Sequence, residues 1–159
     1  MNVAIVCVSE HHQNTRRVAE AIAAPLEAKI YTVAEAAALD LRHVDLLGLG
    51  SGVYFGRLHP SLLHWVEQAP LLPGRCFVFS TAGLAFLLPL WHQSLLRRLR
   101  KRHCDVVGQI SCPGWDTVGP LALIGGLRRG RPNAKDLAAA AEFGGRLARG
   151  DVDSSKLSA

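Results

Sequence analysis

The chain has 159 residues and a mass of 17.2 kDa, the size of one domain. Apolar residues make up 49% and charged residues 19%, which excludes wholesale disorder, and a core of this size needs no disulfide or metal to hold it. Eighteen basic residues against thirteen acidic give a net charge of +5, which draws anionic partners without specifying a fold.

Cysteines 7, 76, 104 and 112 form no C-x-x-C pair and no zinc-ligand spacing, which predicts reduced thiols in a cytoplasmic protein. Met1-Asn2 runs directly into an apolar strand, with neither a basic region nor a cleavage site, so no signal peptide is expected. Cys76 to Leu96 lacks any Asp, Glu, Lys or Arg, close to the ~20 residues a bilayer requires. Ser80, Thr81, Gly83, Pro89, His92, Gln93 and Ser94 interrupt that stretch, so it reads as strand, loop and amphipathic helix, not a membrane span. Arg97-Arg98-Leu99-Arg100-Lys101-Arg102 and Arg128-Arg129-Gly130-Arg131 come without a nucleic-acid motif and read as solvated faces, with no nucleic acid as partner.

In chain order, Val3–Val8 is an unbroken β-favouring run, as in a strand buried on both faces of a parallel sheet. Polar Ser9 to Asn14 follow, and Thr15 opens a helix with Val18, Ala19, Ile22, Ala23 and Leu26 at helical spacing. A second strand is expected over Lys29–Val33, a short helix over Ala34–Leu39, and a third strand over Leu46–Leu49. The third strand ends at Gly50-Ser51-Gly52, and Pro60 starts a helix with Leu62, Leu63, Val66 and Trp65 inward. Cys76–Phe79 is the fourth strand, Leu88, Trp91, Leu95 and Leu99 mark the next helix, and Asp105–Ile110 is the fifth strand. The last helix runs from Asn133 to Arg149, with Leu137, Ala140, Ala141, Gly144 and Leu147 inward; 151–159 reads as a disordered tail behind one domain over 1–150.

Five strands alternating with helices predict an α/β domain with a parallel sheet and helices on both faces. Ligands bind such sheets outside the carboxyl ends of the strands. Those ends carry Ser9–Thr15, Ser51–Arg57, Ser80–Gly83 and Cys112–Asp116, rich in small hydroxylated, thiol or glycine residues suited to backbone approach. In the first, Ser9, Asn14 and Thr15 offer donors beside the free N–H groups of a helix N-terminus, the logic of a phosphate site and also of simple capping. Residues 113–132 hold eight Gly or Pro in twenty, a long loop that Trp115 and Leu121–Ile124 predict to be ordered.

Ser9-Glu10-His11-His12-Gln13-Asn14-Thr15 resembles the phosphate loop of the flavodoxin family. Gly48-Leu49-Gly50-Ser51-Gly52-Val53-Tyr54-Phe55-Gly56 is similar to the family's loop after the third strand. Ser111-Cys112-Pro113-Gly114-Trp115-Asp116-Thr117, with Gly125-Gly126 and Gly130-Arg131-Pro132-Asn133 downstream, is similar to the C-terminal part of a short prokaryotic branch. The resemblance spans about residues 3–148 and implies a three-layer sandwich with strand order 2-1-3-4-5. It further implies FMN, with its phosphate at Ser9, His11, His12, Gln13, Asn14 and Thr15. The ring is then placed among Ser51, Gly52, Val53, Tyr54, Phe55 and Gly56, Ser80, Thr81, Ala82 and Gly83, and Cys112, Gly114, Trp115 and Asp116. Tyr54, Phe55 and Trp115 are the stacking candidates, and no side chain is required as a general acid or base.

Gln13 stands where the family has glycine, a departure that matters if the position needs positive φ. His11 and His12 are read as phosphate-loop donors, since adjacent histidines without a third ligand make no metal site, and His59, His64, His92 and His103 are read the same way with respect to metals. Cys7 and Cys76 are expected to be inert core thiols; Cys112, beside the ring site, is the thiol to test. Leu84, Phe86, Leu87, Leu88, Pro89 and Leu90 exceed what a core needs and offer either a homodimer contact through 84–91 or an apolar entrance. The expected function is an electron carrier between redox partners, its partners presenting acidic faces to this basic chain. The alternatives are an FMN-dependent NAD(P)H:quinone-type reductase, although no G-x-G-x-x-G follows a strand, and a flavin-free interaction module that shares the fold.

Overall fold

The computed structural model describes residues 1–10, 13–54, 56–83, 88–114 and 130–151. The predicted Phe55, His11, His12, Trp115 and Asp116, the apolar 84–87 and the tail from 152 onward lie outside the described residues. Strands β1 (Val3–Val8), β2 (Lys29–Tyr31), β3 (Leu46–Tyr54), β5 (Arg75–Ala82) and β6 (Asp105–Pro113) form a parallel sheet in the order β2-β1-β3-β5-β6. A two-residue strand β4 (Arg57–Leu58) pairs antiparallel with the end of β3. Counted without β4, this is the expected order.

The two-residue period of each strand divides its side chains between two cores. Ala4, Val6, Leu47, Leu49, Cys76 and Val78 face α2 (Val33–Ala36), α3 (Pro60–Gln68) and α4 (Leu88–Lys101), where Leu62, Trp65, Val66, Leu95 and Leu99 complete one core. Val3, Ile5, Cys7, Phe77 and Phe79 face α1 (Asn14–Leu26) and α5 (Ala134–Arg149), where Val18, Ile22, Phe143 and Leu147 complete the other.

In that second core two phenylalanines occupy the space of two absent side chains. Gly48 pairs with Phe77 and Gly50 with Phe79 across β3 and β5. A Cβ built at Gly48 falls 2.4 Å from the Phe77 ring, and one at Gly50 falls 2.0 Å from the Phe79 ring. Phe77 and Phe79 stack with centroids 6.2 Å apart, and Phe77 meets Phe143 edge-on at 5.9 Å. Gly144 has a similar role between helices, since a Cβ there falls 2.4 Å from the Ile22 carbonyl oxygen of α1.

Four expectations are corrected. The second strand stops at Tyr31, because Thr32 forms a capping box with Glu35 and turns Val33 into a helix. The third strand continues through Ser51, Gly52 and Val53 to Tyr54 in place of a loop, since β1 and β5 on either side supply ladder partners as far as Ser51 and Gly52, and β4 pairs with Val53 and Tyr54. The fifth strand likewise extends to Pro113. On α5 the buried stripe is Ala140, Phe143, Gly144 and Leu147, with Leu137 and Ala141 only half-buried.

Replacing Gly50 with Ala forces the Phe79 ring out of its seat and is expected to cost about 3 kcal/mol in urea unfolding. In a Phe79→Leu background the same change should cost markedly less, because the clashing ring is gone. Equal costs in the two backgrounds would show that the ring and the glycine are not coupled.

Candidate functional site

The carboxyl edge of the sheet gathers α1's first turn, the β3–β4 hairpin and the ends of β5 and β6. Gln13, the residue before α1, has φ 53° and ψ 24°, in the left-handed region that glycine adopts freely. Its carbonyl accepts from the Arg17 N–H at 3.0 Å, and its own side chain makes no capping bond. Ser9, at the end of β1, accepts from the Arg16 N–H at 3.2 Å and so ties the strand exit to the helix start. Gln13 thus holds the turn for which the resemblance expects glycine.

Asn14 and Thr15 are both buried. The Thr15 and Thr81 hydroxyl oxygens lie 2.8 Å apart, joining α1 to β5; one of their two hydrogens makes that bond and the other is left to donate elsewhere. Gly114 closes the same corner. Its N–H donates to the Ala82 carbonyl at 3.0 Å, and a Cβ there falls 3.2 Å from Thr81 Cβ and 3.3 Å from Asn14 Nδ2. Asn14, Thr15, Thr81, Ala82 and Gly114, far apart in sequence, therefore meet at one corner of the carboxyl edge.

Tyr54 lies over Gly52, with its hydroxyl 2.9 Å from a Cβ built there, and meets the His59 ring edge-on at 5.5 Å. The Glu10 N–H donates to the Tyr54 hydroxyl at 3.4 Å, and Glu10 Oε1 lies 3.1 Å from His59 Nε2. Two contacts from one residue thus hold the end of β1 against the β3–β4 hairpin. Gly56, at φ 76°, makes the hairpin turn, and a Cβ there falls 3.2 Å from the Trp91 ring.

Other predicted site residues lie close by with their side chains engaged elsewhere. Ser51 donates to the Gly52 carbonyl at 2.6 Å and accepts from the His59 N–H at 2.8 Å. Val53 packs beside the core under α3. Cys112 is buried against α5, its thiol 3.9 Å from the Asp136 carbonyl, and burial raises its pKa to about 11. At neutral pH it is a protonated core thiol like Cys7, which burial also raises to about 11. Gly83 is buried in the turn after β5.

Ser51, Ser80 and Ser111 stand side by side on β3, β5 and β6. Behind them His92 of α4 is fully buried, with Nε2 2.9 Å from Ser80 Oγ and Nδ1 2.9 Å from Gln109 Oε1, and Ser80 Oγ is 2.9 Å from Ser111 Oγ. Desolvation depresses the His92 pKa from 6.5 to about 4. His92 is a core polar anchor that aligns α4 with the ends of β5 and β6. Its pattern of one histidine on an apolar stripe gave no sign of the serines it would meet.

The first turn of α1 carries a signal that spacing alone missed. It has no acidic residue and contains Arg16 and Arg17, the opposite of what a helix dipole favours at an N-terminus. Among the described residues only Arg16 of this pair has an ion pair, at 3.0 Å with Glu20. Among the described residues no group of three His, Cys, Asp or Glu is placed to hold a metal, and no helix there is long and apolar enough to cross a membrane.

A flavodoxin domain family matches residues 5–103 of the chain. An uncharacterized protein of Methanocaldococcus jannaschii is 36% identical over 143 residues, which cover 90% of this chain and 95% of that protein. Among solved structures, oxidised flavodoxin 2 from Bacillus cereus superposes with a TM-score of 0.65 at 19% identity, over 95% of this chain and 99% of its own. A WrbA-like flavodoxin from Agrobacterium tumefaciens gives 0.65 at 18% identity, over 93% and 95%. The flavodiiron protein from Giardia intestinalis gives 0.65 at 16% identity, over 93% of this chain but 35% of its own.

The buried His92 makes stability depend on pH. The unfolded chain takes up a proton near pH 6.5 and the folded one near pH 4, so the stabilisation is complete above 6.5 and is lost as pH falls toward 4, by about 3 kcal/mol in all. His92→Gln removes the titration, and its unfolding free energy should fall less steeply than that of the wild type between those pH values. Parallel slopes in denaturant titrations would show that His92 is not the group responsible.

Proposed function

The chain belongs to the flavodoxin domain family, and from that premise we propose that it binds FMN noncovalently at the carboxyl edge of the sheet and carries electrons between protein partners. The observation that carries this reading is the start of α1. A left-handed turn at Gln13, a first turn without acids, two arginines, and donors at Ser9 and Asn14–Thr15 make a place where a dianion offsets an otherwise unfavourable concentration of positive charge. These residues fit a phosphomonoester. In this reading His11 and His12 complete the phosphate loop, while Tyr54, Phe55 and Trp115 flank the ring.

When bound, FMN supplies the electron-transfer chemistry. The chain's own residues bind, orient and exclude water. Backbone N–H groups at Gly56, Ala82 and Gly83 are the candidates to tune the ring, with Thr81 and Gly114 fixing the distance between the β5 and β6 ends. A redox partner for a chain of net charge +5 presents an acidic face.

An absorbance spectrum of the purified protein, followed by titration with FMN, tests the reading, and turnover of NAD(P)H with a quinone in the absence of a second protein distinguishes a reductase from a carrier. Asn14→Ala with Thr15→Ala should weaken FMN by about 2–3 kcal/mol; unchanged affinity would remove the phosphate site from this loop.

Gln13 gives a sharper test of the turn. Gln13→Gly keeps the left-handed backbone and should retain or tighten FMN binding, whereas Gln13→Val, β-branched in that region, should lose it. Weaker binding in Gln13→Gly would instead make the Gln13 side chain itself a ligand.

A further inference from the structure

Helix α4 starts beside the carboxyl edge of the sheet and runs antiparallel to the strands, so its last turns sit at the opposite edge. There Asp105 opens β6 and its N–H bonds the Gly74 carbonyl ahead of β5. Along this end lies a groove of about 350 Å³ lined by Glu67, Ser94, Arg97, Arg98, Lys101 and Arg102. Four cations thus share it with one carboxylate.

Two of the four are held in place by α3. Arg98 Nε donates to Glu67 Oε1 at 2.6 Å and its Nη1 to the Ser94 carbonyl at 2.9 Å. Arg102 caps the end of α3, donating to the carbonyls of Val66 at 2.9 Å, Glu67 at 2.8 Å, and Ala69. Among the described residues the groove's single acid is therefore engaged by Arg98, and the Arg102 guanidinium donates to carbonyl oxygens without a carboxylate partner. Arg97 and Lys101 are exposed and one helical turn apart, a like-charged pair that raises the energy of an isolated helix. The helix dipole favours cations only in the final turn, and Arg98, Arg100 and Lys101 already fill it, so it does not account for Arg97.

We propose that this groove is a docking site for an acidic polypeptide segment of a partner protein, separate from the carboxyl edge of the sheet. Carboxylates relieve the repulsion between Arg97 and Lys101, and arginine forks already fixed by α3 lose little entropy on accepting them. Among the described residues the lining has no aromatic side chain on which a base would stack, which favours polypeptide over single-stranded nucleic acid. The position leaves the opposite edge free while a partner is held. The inference stands apart from flavin binding, because no groove residue belongs to the candidate FMN site.

Fluorescence anisotropy of a labelled oligoglutamate peptide, titrated with the full chain in both FMN-free and FMN-treated form, tests it. The peptide should bind saturably in both forms, and Arg97→Glu with Lys101→Glu should weaken it at least ~tenfold. Arg146→Glu with Arg149→Glu on α5, the other face of the sheet, removes the same charge and should change binding less than about twofold. Arg97→Gln with Lys101→Gln, which leaves the helix without reversed charge, should give an intermediate loss. Equal losses from the α3–α4 and α5 variants would reduce the effect to net charge and overturn the proposal. So would absence of saturable binding, or tighter binding of a single-stranded oligonucleotide of equal charge that is lost in the same groove variants.

Discussion

The contact on which the site depends is the seating of Phe77 and Phe79 in the places that Gly48 and Gly50 leave empty. A slip of one residue between β3 and β5 would set each ring against the opposite face of the sheet. With the register fixed, Ser51 must stand beside Ser80 and Gly52 beside Thr81. Between β5 and β6 the pairing shifts by one residue, from Cys76 beside Val106 to Phe77 beside Gly108, and beyond that bulge Ser111, Cys112 and Pro113 arrive at the edge level with Ser80, Thr81 and Ala82. The geometry of the carboxyl edge is thus inherited from packing several residues deeper in the sheet.

Upon that frame the two faces take different parts. On the α3–α4 side, His92 binds α4 to the serine row through buried hydrogen bonds whose loss would leave polar atoms without water. On the α1–α5 side, the Thr15–Thr81 hydrogen bond and the close fit of Gly114 hold the start of α1 against the ends of β5 and β6. The first face ties α4 to the sheet, and the second, which also holds the Phe77 and Phe79 rings, sets which loops the strand ends meet. Among the described residues three non-glycines, Gln13, Glu27 and His103, take left-handed φ, and of these Gln13 stands at the start of α1 beside the carboxyl edge.

The strands and the main helices were legible because each carries an unbroken apolar run or a stripe of period near 3.6. The positions of Val18, Ile22, Leu62, Leu95 and Leu99 in the cores follow from spacing alone. The extension of β3 to Tyr54 and its pairing with β4 were not, since Ser51-Gly52 carries turn residues and only neighbouring strands make them ladder partners. Phe143 was missed for a related reason: the Ala-rich stretch of α5 offers several apolar stripes, and the rings on β5 choose among them.

The sequence by itself determined the alternation of strands and helices, the separation of apolar from charged faces, and the loops that carry small polar and glycine residues, because these are set by local periodicity and side-chain size. Only the tertiary structure decided which of those residues meet. Thr15 with Thr81, Gly114 with Asn14, and Glu10 with His59 are separated by tens of residues, and chain folding alone determines such distances. It also turned Ser51, Ser80 and Cys112 inward and placed the basic end of α4 at the edge opposite the candidate site. Strand parity and the antiparallel run of helix on sheet fix these directions, and neither is written in any one residue.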